Sequence, residues 1–185
     1  MKIYYLGPRW TYSEEAAETF AAKMNGYTVK TELEAKDSLE EVVQSTQGGD
    51  FGIVAYYNRT FGLMYDHLEL IKRNKLMVMD RVIVPITFAI GRYPGTVDFD
   101  TVYSHPKALP QCRGYLEKNP QLNTTPVRST SDGANKVKEE KYGLAIAKKE
   151  ALEAAGLEIL AEDIGDGHEK IPNFTDFLAV RRWND

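Results

Sequence analysis

Apolar residues fall in short blocks along this chain, and most blocks end at a glycine, a proline or a capping side chain. Residues 3–6 form one such block, closed by Gly7-Pro8, which predicts a buried strand and a turn. Beyond it Ala16, Ala17, Phe20, Ala21 and Met24 recur at helical spacing, with Thr11 or Ser13 as the cap. Residues 27–33 alternate as a strand. Asp37 or Ser38 then caps a helix carrying Leu39, Val42 and Val43, and Gly48-Gly49-Asp50 ends it. Residues 51–55 read as a buried strand and 63–71 as a helix.

Residues 76–90 are rich in β-branched side chains, broken near Asp80-Arg81 and bent at Pro85, so they predict two strands, the second entering a new lobe. There the rhythm repeats: strand 101–103, helix 106–116, strand 124–128, helix 131–140, strand 142–147, helix 148–155 and strand 157–161. Gly165-Asp166-Gly167-His168 is expected to be a loop returning the chain to the first lobe, which a strand over 177–182 completes. Strands alternating with helices argue for an α/β protein with mostly parallel sheets. The expected lobes are residues 1–80 plus 166–185, and residues 81–165. Two α/β lobes joined by two crossings place a ligand in the cleft between them.

Composition narrows the partners more than the fold. The 185 residues are 43% hydrophobic and 27% charged, ordinary values for a soluble globular protein. The formal net charge of −4 offers no global basic field for nucleic acid or an anionic membrane. The single cysteine, Cys112, excludes an internal disulfide and suits a reducing, cytoplasmic setting. No apolar run has the length of a signal peptide or a membrane span. His67, His105 and His168 are scattered, so no metal site is expected, and no glycine-rich phosphate loop is present.

Two segments carry the candidate chemistry. Gly7-Pro8-Arg9-Trp10-Thr11-Tyr12-Ser13-Glu14-Glu15-Ala16 and Ser104-His105-Pro106-Lys107-Ala108-Leu109-Pro110-Gln111-Cys112 each read as a strand end turning into a helix. Each sets hydroxyls and free amides at a helix N-terminus, a natural seat for an anion. Asn58-Arg59-Thr60 follows a strand end, where Arg59 can clamp a carboxylate or simply be solvated. Tyr56 and Tyr57 line a cleft or pack. Asp176 is either a buried acid or a surface charge, His105 a turn residue or a base, and Cys112 a small packed hydrophobe.

Taken in order, these segments resemble the catalytic domain of prephenate dehydratase. The family's Gly-Pro-x-Gly-Thr-(Tyr/Phe)-Ser-x-x-Ala pattern stands as Gly7 to Ala16, with Trp10 in place of the glycine. Its Ser-His-Pro-x-Ala-Leu-x-Gln-Cys pattern is matched by Ser104 to Cys112. Ser129-Thr130-Ser131-Asp132-Gly133-Ala134 occupies its Ser/Thr-rich helix start, and Asn173-Phe174-Thr175-Asp176-Phe177 its Asn-x-Thr-Arg-Phe motif, with Asp176 replacing the arginine. The Val-Pro-Ile-Glu-Asn-Ser segment keeps only Val54 and Asn58, and the usual phenylalanine-binding ACT domain is not expected.

The resemblance implies a two-lobed fold like that of type 2 periplasmic-binding proteins, no cofactor, a prephenate-like dicarboxylate as substrate and a homodimer. It implies catalytic roles for Thr175 and Asn58. Substrate contacts are expected from Thr11, Ser13, Tyr57, Arg59, Ser104, His105, Ala108, Leu109, Ser129, Thr130, Ser131 and Phe177. Three activities fit it. A dehydratase expels carbon dioxide and water to give an arylpyruvate, with Thr175 assisting the departing hydroxyl. A decarboxylase similar to those of bacilysin-type pathways retains the hydroxyl. A binding protein holds the acid without turnover.

Overall fold

The computed structural model describes residues 1–27, 29–166 and 172–182 of the chain. It forms two units, Met1–Pro85 with Asn173–Asp185, and Ile86–Pro172. Gly167 and His168 of the expected return loop lie outside the described residues.

In the first unit β1 (Lys2–Leu6), β2 (Glu32–Lys36), β3 (Phe51–Asn58), β5 (Leu76–Pro85) and β11 (Phe174–Arg182) make one sheet in the order β2-β1-β3-β11-β5. A two-residue strand, β4 (Gly62–Leu63), pairs with the end of β3. Helix α1 (Tyr12–Asn25) covers one face, burying Ala16, Ala17, Phe20 and Ala21 against Ile3, Tyr5, Ile53, Val82, Val84, Phe177 and Ala179. On the other face α2 (Leu39–Ser45) and α3 (Tyr65–Arg73) bury Val42, Val43, Leu70 and Ile71 against Tyr4, Val54, Leu178 and Val180. Both faces of the sheet are therefore dry, which is why its central strands read as continuous apolar blocks.

The second unit has β6 (Ala89–Arg92), β7 (Thr101–Ser104), β8 (Asn123–Pro126), β9 (Leu144–Ala147) and β10 (Glu158–Ala161) in the order β10-β6-β9-β7-β8. Helices α5 (Thr130–Glu140) and α6 (Lys149–Ala154) supply Ala134, Val137, Ala151 and Leu152 to its core. Read from the other edge, β8-β7-β9-β6-β10 reproduces the plan of the first unit. In each sheet a single main strand, β11 or β6, runs against the other four; β6 is the strand by which the chain enters the second unit, and β11 the one by which it returns to the first.

Three elements differ from the sequence expectation for identifiable reasons. The strand expected over 27–33 forms at Glu32–Lys36, because in-register pairing with β1 outweighs its alternating charges. Those charges protect a sheet edge: Glu34 accepts from Lys2 at 2.7 Å and from Lys36 at 2.5 Å. The break expected at Asp80-Arg81 is absent; β5 is continuous to Pro85, with only a register shift near Met79. The helix expected over 106–116 becomes a 3-10 turn, Leu109–Cys112, followed by the short α4 (Arg113–Glu117). Pro110 has no N–H to donate to the Pro106 carbonyl, so an α-helix cannot run through this stretch.

Candidate active site

In the first unit the candidate residues gather where β1 and β3 end and β11 begins. Thr175 lies opposite Asn58 in the β11–β3 pairing. The Asn58 side chain is spent completely. Its Nδ2 donates to Thr175 Oγ1 at 2.9 Å and to the Phe174 carbonyl at 3.2 Å. Its Oδ1 accepts from the amides of Thr60 at 2.9 Å and Phe61 at 3.3 Å, fixing the turn that leads to β4. Both residues are buried, Asn58 at 5% and Thr175 at 7% exposure.

This arrangement orients the threonine. An amide N–H can only donate, so Thr175 Oγ1 accepts from Asn58 and keeps its own proton to give elsewhere. Among the described residues nothing takes that proton. Thr175 sits on the α1 face of the sheet, with Phe177 and Val84 as its neighbours on that face.

The start of α1 lies on the same face, at the same end of the sheet. Thr11 is its cap, accepting from the Glu14 amide at 3.3 Å while its proton lies between the Leu6 and Pro8 carbonyls. The expected anion seat here is filled from within. Glu14, 5% exposed, accepts from the Trp10 amide at 2.5 Å, Tyr5 Oη at 2.8 Å and Arg9 Nε at 3.2 Å. Burial and the Glu14 carboxylate push the Tyr5 phenol well above its ordinary range, so it stays a donor. Trp10 holds φ 66, the left-handed backbone for which the family pattern uses glycine. Ser13 is half-buried, and its hydroxyl has no partner among the described residues.

Arg59 follows Asn58 and is exposed. Its amide donates to the Phe174 carbonyl at 3.1 Å, and its guanidinium has no partner among the described residues. Asp176 faces the other way. A register shift in the β3–β11 pairing leaves Tyr56 as an extra residue between Ala55 and Tyr57. Tyr56 Oη reaches Asp176 Oδ2 at 3.4 Å, and Arg81 Nη2 donates to the same oxygen at 2.6 Å. Asp176 is thus a buried acid, 3% exposed, but it is ion-paired on the face opposite Thr175 and cannot serve a ring bound beside Thr175. Tyr57 shares that opposite face, its ring 6.0 Å from that of Phe174.

In the second unit the end of β7 meets the start of α5. Ser129 caps α5, accepting from the Asp132 amide at 2.9 Å, and Thr130 and Ser131 form the first turn. Gly133 allows the helix this close, since a Cβ there would lie 2.8 Å from the Tyr103 carbonyl oxygen. Ser104 is fully buried and donates to the Ile146 carbonyl at 2.6 Å, so its hydroxyl ties β7 to β9 rather than facing a ligand. The amides expected to be free after it are also used. Lys107 N donates to His105 Nδ1 at 3.1 Å, and the Ala108 and Leu109 amides to the His105 carbonyl at 2.8 and 3.2 Å.

Two further expected contacts turn out to be packing. Phe177 is 2% exposed in the core beneath α1, and Ala108 is 3% exposed. Cys112 is fully buried, and burial together with Asp166 pushes its thiol up to about 12, as expected of an inert packed cysteine. Sequence reasoning missed Glu14 and Arg81. Glu14 was signalled by its spacing from Thr11, the Thr-x-x-Glu form of a capping box; nothing in the sequence linked Arg81 to Asp176. Among the described residues no group of three histidine, cysteine or acidic side chains can hold a metal ion, and no helix is long and apolar enough to cross a membrane.

Known proteins with this plan agree with the motif reading. The chain is 30% identical over 184 residues to the bifunctional chorismate mutase/prephenate dehydratase of Aquifex aeolicus, covering 98% of this chain and 49% of that protein. It thus spans about half the length of that relative. The structure superposes on the prephenate dehydratase of Arthrobacter aurescens, solved with L-Phe, with a TM-score of 0.81 and 28% identity over all of this chain and 61% of that one. It also shares the fold of the methionine-binding protein MetQ, with a TM-score of 0.53, 15% identity and coverage of 98% and 82%. The α/β fold is therefore like that of periplasmic-binding proteins. The prephenate dehydratase family profile matches residues 3–184, and on that match the chain belongs to the prephenate dehydratase family.

Proposed function

We propose that the chain is a lyase that decarboxylates and dehydrates prephenate, or a close cyclohexadienyl analogue, to an arylpyruvate. The observation that carries this reading is the Thr175 hydroxyl, which accepts from Asn58 and whose proton has no acceptor among the described residues. In the reaction the bond from ring carbon to carboxylate breaks, its electron pair enters the ring, and the carbon–oxygen bond at the opposite carbon breaks. Carbon dioxide, water and the arylpyruvate anion result, with one proton taken up by the departing oxygen. Aromatisation drives the step, so the protein need only hold the dianion and ease departure of the hydroxyl.

A neutral threonine is too weak an acid to supply that proton outright. Thr175 instead donates a hydrogen bond to the oxygen as negative charge develops on it, an effect worth about 10²–10³ in rate for one well-placed donor. Arg59, whose guanidinium has no partner among the described residues, is assigned to a substrate carboxylate. The chemistry rests on side chains and amides alone.

The test is incubation of the purified chain with prephenate, following product mass and aromatic absorbance. Loss of carbon dioxide and water with a rise in absorbance supports the reading. Loss of carbon dioxide alone identifies the non-aromatising decarboxylase, and binding without turnover a small-acid binding protein. Unchanged turnover by Thr175→Ala removes that residue from the mechanism.

A further inference from the structure

The two described histidines are held in opposite states by main-chain groups. His67 Nδ1 lies 2.6 Å from the Ala55 carbonyl, which only accepts, so this nitrogen carries a proton. His105 Nδ1 receives the Lys107 amide at 3.1 Å, and an amide N–H only donates. His105 Nδ1 must therefore be bare, which puts the ring proton on Nε2.

The surroundings of His105 keep it so. A second proton on the ring would have to sit on Nδ1, against the Lys107 N–H. Burial, and after it the charge of Lys107, lower the pKa of this imidazole from its ordinary value. The turn itself is closed, because the His105 carbonyl accepts from both Ala108 and Leu109. The Ser104 hydroxyl and the amides of Lys107, Ala108 and Leu109 are spent on the protein. The half-buried imidazole Nε2–H is a donor whose direction is fixed, at the C-terminal end of β7 where the first turn of α5 crosses. Strand C-termini are where α/β sheets present ligand-binding groups.

We propose that His105 is a specificity-determining residue that acts as a fixed neutral donor, its Nε2–H reading an anionic oxygen of the substrate, and not as a base. The identity of that substrate rests on the lyase reading above; the tautomer does not. A donor of this kind cannot accept a proton from substrate without first breaking the Lys107 hydrogen bond. It differs from the point charge of a lysine in demanding an acceptor along one direction.

Nitrogen-15 NMR of the labelled chain at pH 7.5 tests this directly, with His105→Gln used for assignment. His105 should show the Nε2–H pattern, and His67 a protonated Nδ1. Adding prephenate should shift the His105 Nε2–H resonance. His105→Gln, which keeps a donor, should hold KM within about threefold, while His105→Phe should raise it about 10- to 100-fold, as expected for a lost hydrogen bond to a charged group. A doubly protonated or Nδ1–H His105, or an unchanged KM in His105→Phe, overturns the proposal. Turnover with an unmoved His105 resonance overturns it alone. Neither turnover nor a shift overturns both it and the lyase reading.

Discussion

Asn58 Nδ2 donates to Thr175 Oγ1 at 2.9 Å, and this bond decides which way the threonine hydroxyl points. Thr175→Ala should lower kcat about 10²- to 10³-fold, whereas Thr175→Ser should stay within about tenfold of the parent. Asn58→Ala should lose comparable activity and also loosen the turn held by Oδ1. Steady-state assays with prephenate, beside urea melts, separate the two effects: only the Asn58 variant should also lose stability.

Arg81 and Asp176 form a one-sided ion pair, the cation half in solvent and the carboxylate buried with Oδ1 unsatisfied. Arg81→Ala leaves a buried charge with little compensation and should lower the urea midpoint. Asp176→Asn removes the charge and should cost less. Combining them should cost less than the sum of the two, measured as a double-mutant cycle in urea.

Gly133→Ala introduces a Cβ 2.8 Å from the Tyr103 carbonyl oxygen. Neither the helix nor the strand can yield cheaply, so a loss of about 1–3 kcal/mol is expected in denaturant unfolding. The displaced first turn of α5 should also raise KM for prephenate.

Cys112 should be silent toward thiol reagents at pH 8 while the chain is folded, because burial keeps it protonated, with a pKa of about 12. It should react at the ordinary rate in urea. Fast labelling of the folded chain would contradict the packed position.

Glu34 has its carboxyl lowered to about 2 by hydrogen bonds from Lys2 and Lys36. A depressed acid contributes stability above its unfolded pKa and loses that contribution as pH falls through the folded one. The parent should therefore lose more stability than Glu34→Gln between pH 4.5 and pH 2. Glu34 and its two lysines lie at a sheet edge partly open to solvent, which makes the difference small and sensitive to salt.

The sequence carried the rhythm of the fold well, since β1 and β3 are apolar blocks and α1 and α2 show their caps. It carried less of the site. Thr175 and Asn58 stood out as motif residues, but their direct bond depends on a register shift that leaves no mark in residue type. The expected anion seats failed for a different reason. Glu14 and His105 have the chemistry of ligands for those amides, and periodicity cannot show that a chain satisfies its own donors. Phe177 and Ser104 sit inside matching motifs, yet their burial is decided by neighbours far away in sequence.

The extra residue at Tyr56 has a consequence for how this strand can vary. With plain alternation from Ile53 onward, Tyr57 would share the α1 face and Asn58 would turn to the other side. One added position reverses the parity of everything after it, so Asn58 reaches Thr175 while Tyr57 is carried away. Tyr56 is therefore the position in this stretch that the ladder does not need, since Ala55, Tyr57 and Asn58 pair with Phe177, Asp176 and Thr175 without it. A one-residue deletion between Ala55 and Asn58 would remove the bulge and keep Asn58 opposite Thr175, whereas deleting two would turn Asn58 to the other face.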